Sequence, residues 1–135
     1  MRVLFICQLN SVRSPMAEGL LQNRLGSKVQ VKSCGLMPEG PNDFMISVMR
    51  EIGIDMSEHQ PLAVSDVNPD DFDRIIAFAA GAKAGAEAIL GDIGPKIELW
   101  PVPNPGEGSL DVRALLNNYR AIRANIDARL AREFT

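Results

Sequence analysis

Apolar residues along this chain recur with two spacings, and the alternation between them predicts the fold. Val3, Leu4, Phe5 and Ile6 form a continuous apolar run, the pattern of a short strand buried on both faces. Met16, Leu20, Leu21 and Leu25 then follow at helical spacing, opened by Ser14-Pro15, where proline fits a first helical turn. Gly26-Ser27-Lys28 is a stop signal, and residues 29–34 alternate as a second strand. A Gly- and Pro-rich loop spans 36–41, after which Asn42 caps a helix with Phe44, Met45, Val48, Met49 and Ile52 on its apolar face, ending at Gly53. Methionines at that spacing read as core packing rather than as ligands.

The segment 54–71 reads as an irregular connection with one short helix near Ser65-Asp66. It holds the single histidine, His59, for which a structural hydrogen bond is the simplest role. Asp70, Asp71 and Asp73 lack the spacing of a cation-binding loop and read as a solvated turn. Residues 74–79 predict a third strand, 80–90 an Ala-rich helix weakened by Gly81 and Gly85, and 97–100 a fourth strand. After a Pro- and Gly-rich loop over 101–108, Ser109 is the expected cap of a long last helix. Its buried stripe is Leu115, Tyr119, Ile122, Ile126 and Leu130, with Arg113, Arg120, Arg123, Arg129 and Arg132 facing water. Strands alternating with helices predict an α/β fold: one parallel sheet, right-handed crossovers, and helices on both faces, a three-layer sandwich. No linker or repeat interrupts residues 1–135, so one domain is expected.

Composition narrows the setting. With 135 residues, 46% of them hydrophobic, the chain can bury its own core. A net charge of −3 argues against a broad nucleic-acid surface, and no apolar run approaches the ~20 residues of a membrane span. The chain opens on a strand rather than on a signal peptide, and two cysteines with one histidine make neither a disulfide framework nor a usual zinc site. A reducing cytoplasm is the expected location, and no metal or organic cofactor is called for.

The candidate chemistry lies between the first strand and the first helix, where Cys7 is followed by five residues and then Arg13-Ser14. Taken alone, a cysteine and an arginine six apart could be a buried thiol beside a helix-capping side chain. The order strand, loop and helix N-terminus changes that. Backbone N–H groups curling into a helix start are unpaired and sit at the positive end of the dipole, which makes an oxyanion cradle. Gln8, Leu9, Asn10, Ser11 and Val12 would form its wall, and the planar Arg13 fork can hold two oxygens of one tetrahedral anion. A thiol in such a field is readily ionised, and a thiolate beneath a phosphoryl group is a nucleophile. Ser14 can donate to the Cys7 sulfur. Asn10 tolerates a left-handed backbone and can tie the loop with its amide.

Cys7-Gln8-Leu9-Asn10-Ser11-Val12-Arg13-Ser14-Pro15-Met16-Ala17-Glu18 resembles the signature of the low-molecular-weight protein tyrosine phosphatase superfamily, which includes thiol-dependent arsenate reductases. Ser33-Cys34-Gly35, the stretch Glu51 to Ser57 and the region from Trp100 to Ile126 are similar as well, so nearly the whole chain is covered. The wording of 51–57 is nearer the arsenate reductase branch. The resemblance implies a flavodoxin-like fold with strand order 2-1-3-4, and a ligand at the carboxyl ends of the strands. It further implies hydrolysis of a phosphomonoester through phospho-Cys7, with Arg13 and the loop amides binding the phosphoryl oxygens. The partner so implied is a phosphorylated substrate or a phosphate- or arsenate-like oxyanion. The oligomeric state is left open between a monomer and a weak dimer.

Three departures from the family pattern stand out. Leu9 occupies a position where family loops commonly carry glycine. Pro103-Asn104-Pro105 falls where the family has an Asp-Pro pair whose Asp acts as general acid, so Asn104 replaces that acid, and Asp111 or Glu107 are the candidates to substitute. Gly106, Glu107 and Gly108 stand where phosphotyrosine enzymes carry aromatic residues. Thioredoxin-coupled arsenate reductases need two more cysteines after the third strand. Ala79 occupies the first position and no second exists, which leaves arsenate reduction by a small thiol, or an oxyanion-binding module with little turnover, as alternatives. Cys34 could pair with Cys7 or simply be a small buried residue.

Overall fold

The computed structural model describes residues 1–106 and 111–134. Its sheet holds β1 (Arg2–Cys7), β2 (Gln30–Gly35), β3 (Arg74–Ala77) and β4 (Ile97–Leu99), all parallel in the order β2-β1-β3-β4. The helices are α1 (Arg13–Leu25), α2 (Asp43–Arg50), α3 (Ala80–Leu90) and α4 (Val112–Glu133). The expected α/β sandwich, parallel sheet and strand order are what the structure has.

Alternation along β1 and β3 divides the core. Val3, Phe5, Ile76 and Phe78 pack with Met16, Leu20, Met45, Met49, Ile122 and Ile126 under α1, α2 and α4. Leu4, Ile6, Ile75 and Ala77 turn the other way, onto Ala82 and Ala86 of α3. Successive strand residues point to opposite faces, so both faces of these strands need apolar side chains. Phe5 stacks on Phe78 with centroids 5.6 Å apart, and Phe78 meets Trp100 edge-on at 6.3 Å. Burying each such ring contributes roughly 1.5–3 kcal/mol.

Several expected boundaries shift. β3 ends at Ala77 rather than at residue 79, and β4 at Leu99 rather than at residue 100, yet the bonding runs on: Phe78 N donates to Ile6 O and Val102 N to Phe78 O. β2 runs one residue later than expected, over Gln30–Gly35. α2 stops at Arg50, and Ile52, beyond it, is 44% exposed rather than part of the apolar face. The long last helix is capped by Asp111, whose carboxylate accepts from Ala114 N at 2.8 Å; Ser109, the expected cap, lies outside the described residues. The helix phase set by that start turns Leu116, not Leu115, toward the core. Nor do all of its arginines face water. Arg120 and Arg123 pair with Glu51, and the Arg129 guanidinium lies 4.7 Å from the centre of the Trp100 ring. Among the described residues no helix is long and apolar enough to cross a membrane.

Candidate active site

The loop between β1 and α1 is shaped by what its carbonyls do. Gln8 O accepts from Met37 N at 2.9 Å, Leu9 O from Glu39 N at 2.7 Å, and Ser11 O from Asn42 N at 3.0 Å. A trans peptide points its N–H opposite to its C=O. The N–H groups of Leu9, Asn10 and Val12 therefore turn away from the carbonyl partners in the segment 37–42. Asn10 takes φ of +52°, the left-handed conformation that its side chain tolerates. The chain after β2 presses against this bend. A Cβ on Gly35 would sit 2.7 Å from Asn10 N and 2.9 Å from Leu9 C, so only glycine fits there.

α1 begins at Arg13, with Pro15 in its first turn, where an N–H has no partner within the helix. This places the Ser14 backbone N–H 3.4 Å from the Cys7 sulfur and the Ser14 hydroxyl 2.8 Å from it. The hydroxyl has neighbours besides the sulfur. Asn10 Oδ1 accepts from Leu62 N at 3.1 Å, which fixes the amide orientation, and Asn10 Nδ2 donates to Ser14 Oγ and to Ser33 Oγ, each at 2.9 Å. Ser33 in turn donates to Glu18 Oε1 at 2.7 Å. The Ser14 oxygen accepts from Asn10 and has one hydrogen, which can go to the Cys7 sulfur or to Cys34 O at 3.4 Å. A Cys7 thiolate, which can only accept, would receive both the Ser14 hydroxyl and the Ser14 backbone N–H. Both Asn10 and Ser14 are fully buried, and Cys7 is 3% exposed.

His59 completes the network. Its Nε2 lies 3.2 Å from Asn10 Oδ1, an oxygen that can only accept, so Nε2 carries a hydrogen; Nδ1 lies 3.8 Å from Glu18 Oε2. The structural hydrogen-bonding role expected of this residue is the one it plays. Arg13 is held from the other side, its Nη1 donating to Val102 O at 2.9 Å. Because Val102 N is bonded to Phe78 O, the guanidinium is in effect anchored to the sheet.

Cys7, Gln8, Leu9, Ser11, Val12 and Arg13 line one cleft of about 360 Å³, and Asn104 is on its wall. Asn10 and Ser14 support it from beneath. Asp111 is engaged as the α4 cap, and Glu107 lies outside the described residues. Sequence reasoning missed Glu39 and Tyr119, both on the cleft wall, and did not foresee that Asn42 would line it as well as cap α2. Tyr119 reads as part of a buried stripe, and Glu39 sits in a loop with no periodicity, so neither carried a signal. Cys34 is a free thiol packed among Leu4, Ile6 and Val64, on the α3 side of the sheet. Its register partner is Ile6, whereas Cys7 pairs with Gly35, so the two thiols leave their strands toward opposite faces. Burial, with a smaller contribution from nearby Cys7, pushes the Cys34 thiol up to about 12. It behaves as a small apolar residue.

Comparison with known proteins bears on the fold and the family. A glutaredoxin arsenate reductase of Synechocystis sp. is 32% identical over 130 residues, covering 96% of this chain and 92% of that protein. A solved arsenate reductase in a phosphate-binding state superposes with a TM-score of 0.76 at 27% identity, covering 97% of this chain and 94% of the other. An arginine phosphatase from Geobacillus stearothermophilus shares the fold, with a TM-score of 0.82 at 24% identity over 97% of this chain and 88% of that one. Residues 2–134 match the family described as low molecular weight phosphotyrosine protein phosphatase, and to that family, which the arsenate reductases share, this chain belongs.

Proposed function

We propose that the protein hydrolyses a phosphomonoester through a phosphocysteine at Cys7. The observation that carries this reading is the Cys7 sulfur within reach of both the Ser14 hydroxyl, at 2.8 Å, and the Ser14 backbone N–H, at 3.4 Å, in a cleft that the 7–12 loop lines together with Arg13. A phosphate group seated there would meet the N–H groups and the Arg13 fork with its three non-bridging oxygens. These interactions strengthen as charge spreads over those oxygens in the transition state. The Cys7 thiolate attacks in line, forming S–P as the bond to the ester oxygen breaks. Water then attacks phosphorus, S–P breaks, inorganic phosphate leaves, and Ser14 stabilises the restored thiolate. Asn104 occupies the place of the family's acid. An amide can orient a leaving oxygen or a water but cannot protonate it, so the factor of order 10²–10⁴ that acid–base catalysis contributes must come from another group. A thiol nucleophile of this kind fits a reducing cytoplasm.

A second reading is favoured by the arsenate reductases among the relatives. Here the Cys7 thiolate would bond to arsenic with loss of water. A small thiol would then attack the Cys7 sulfur, releasing arsenite and leaving a mixed disulfide, and a second small thiol would restore Cys7. Two electrons pass from two external thiols to arsenic.

Hydrolysis of p-nitrophenyl phosphate by wild type, Cys7→Ser and Asn104→Asp tests the first reading. Turnover lost in Cys7→Ser and kept or raised in Asn104→Asp supports it. Binding of phosphate without turnover in either wild type or Asn104→Asp overturns it, and thiol-dependent arsenite release that requires Cys7 would then establish the second.

A further inference from the structure

We propose that Glu39 supplies the proton-transferring carboxyl that Asn104 cannot. This rests on the phosphatase reading. Ester hydrolysis through a phosphocysteine needs a proton delivered to the leaving oxygen, and one withdrawn from the attacking water. Four described side chains of the cleft are of titratable type, Cys7, Arg13, Glu39 and Tyr119; the Ser11 hydroxyl is too weak an acid to serve. Cys7 is spent as nucleophile, and a guanidinium does not give up its proton. Phenols as a class are far weaker acids than carboxylic acids, so a carboxyl is the better proton carrier for the two steps. Of the two acids expected to substitute, Asp111 has its carboxylate bound to the α4 N-terminus, and Glu107 lies outside the described residues. Among the described residues, Glu39 is the carboxylate of the cleft that remains.

Its placement is fixed by main chain rather than by chance contact. Glu39 N donates to Leu9 O at 2.7 Å, so its Cα is clamped to the cradle itself, between the Met37 and Asn42 clamps on either side. The side chain is exposed, free to swing over the mouth of the cleft. In the first step the Glu39 carboxylic acid gives its proton to the ester oxygen as P–O breaks and S–P forms. In the second its carboxylate takes a proton from water as the new P–O bond forms and S–P breaks. The acid is restored and the cycle closes.

The test compares wild type, Glu39→Gln and Asn104→Asp, with and without Glu39→Gln, on phenyl phosphate and 2,4-dinitrophenyl phosphate across pH. Phenolate is a poor leaving group that needs the proton; dinitrophenolate departs without it. The expected result is at least about a tenfold loss with phenyl phosphate in Glu39→Gln, together with loss of one limb of the pH profile. The dinitrophenyl burst stays unchanged, and Asn104→Asp erases the sensitivity. Equal slowing of the first, phosphocysteine-forming step with both substrates, or slowing of it with neither, overturns the assignment while Cys7-dependent turnover persists. Absence of Cys7-dependent turnover in wild type removes the phosphatase reading, and this assignment with it.

Discussion

The two ends of the sheet carry two hollows, and the larger is not the one built for chemistry. Where β3 and β4 begin, Ile75, Lys83, Leu90, Ile93, Lys96 and Ile97 line a space of about 700 Å³, twice the volume of the cleft around Cys7. That larger space is a gap between α3 and the turn leading to β4, and its charged groups lie at the surface. Lys83 and Glu87, for instance, pair along α3 at 3.0 Å. The smaller cleft stands on buried polar residues, Asn10, Ser14 and Ser33, each satisfied by another. Burying polar groups costs several kcal/mol unless they are paired, so such a network persists only where it holds something in place.

Two glycines, one at each hollow, turn this contrast into an experiment with a large expected effect. An added methyl on Gly35 meets the Asn10 and Leu9 backbone, and one on Gly94, at φ +82°, meets Pro69 O at 2.7 Å. Both Gly35→Ala and Gly94→Ala should lose about 1–3 kcal/mol in urea unfolding. Only Gly35→Ala should also lower p-nitrophenyl phosphate turnover, by tenfold or more, because only there does the displaced backbone carry the N–H cradle. An equal loss of activity in Gly94→Ala would mean that the two ends are coupled and that the contrast is false.

Removing one amide probes the network from within. Asn10→Ala strands the Leu62 N–H, removes the donor to both serines and leaves alanine at φ +52°. The expected cost is about 1–3 kcal/mol from the orphaned groups. With its acceptor role gone, Ser14 Oγ is freer to turn toward Cys34 O, 3.4 Å away, instead of the Cys7 sulfur. kcat should therefore fall more than KM rises. Asp92→Ala, at the other hollow, should stay within about 0.5 kcal/mol of wild type.

Much of this was legible in the chain because it depends on local pattern. The apolar run 3–6, the helix after Ser14-Pro15 and the Cys7 to Ser14 spacing each specify their own conformation, and the sheet follows from their alternation. What was not legible depends on contacts between segments far apart. Arg13 meets Val102 O 89 residues away, His59 meets Asn10 49 residues away, and Glu39 reaches the cleft through a backbone bond to Leu9 that no side chain announces. The α4 cap shows the opposite kind of miss. Ser109 and Asp111 are both good capping types, and propensity alone could not choose between them.

The smallest effect lies in the ion pairs beside each hollow. Glu51, just past α2, accepts from Arg120 and Arg123 of α4, joining the helices whose residues Asn42 and Tyr119 face the cleft. Hydrogen bonds from Arg120, then Arg123, hold its carboxyl down to about 2. An unfolded glutamate titrates near pH 4.3. The folded state therefore binds its proton less readily than the unfolded state does. The stabilisation is complete above that value and is lost as pH falls from there toward about 2. Thermal melts of wild type and Glu51→Gln should differ most near neutral pH and converge in acid, and added salt should narrow the gap because the pair is solvent-facing. Glu87→Gln, which breaks an exposed pair within one helix, should shift the melt less at every pH, since it joins nothing that the chain does not already join. A Glu51→Gln gap that stays constant from neutral pH down to pH 2 would show that the side chain packs rather than pairs, and would remove the electrostatic clamp from the account of how this cleft is held.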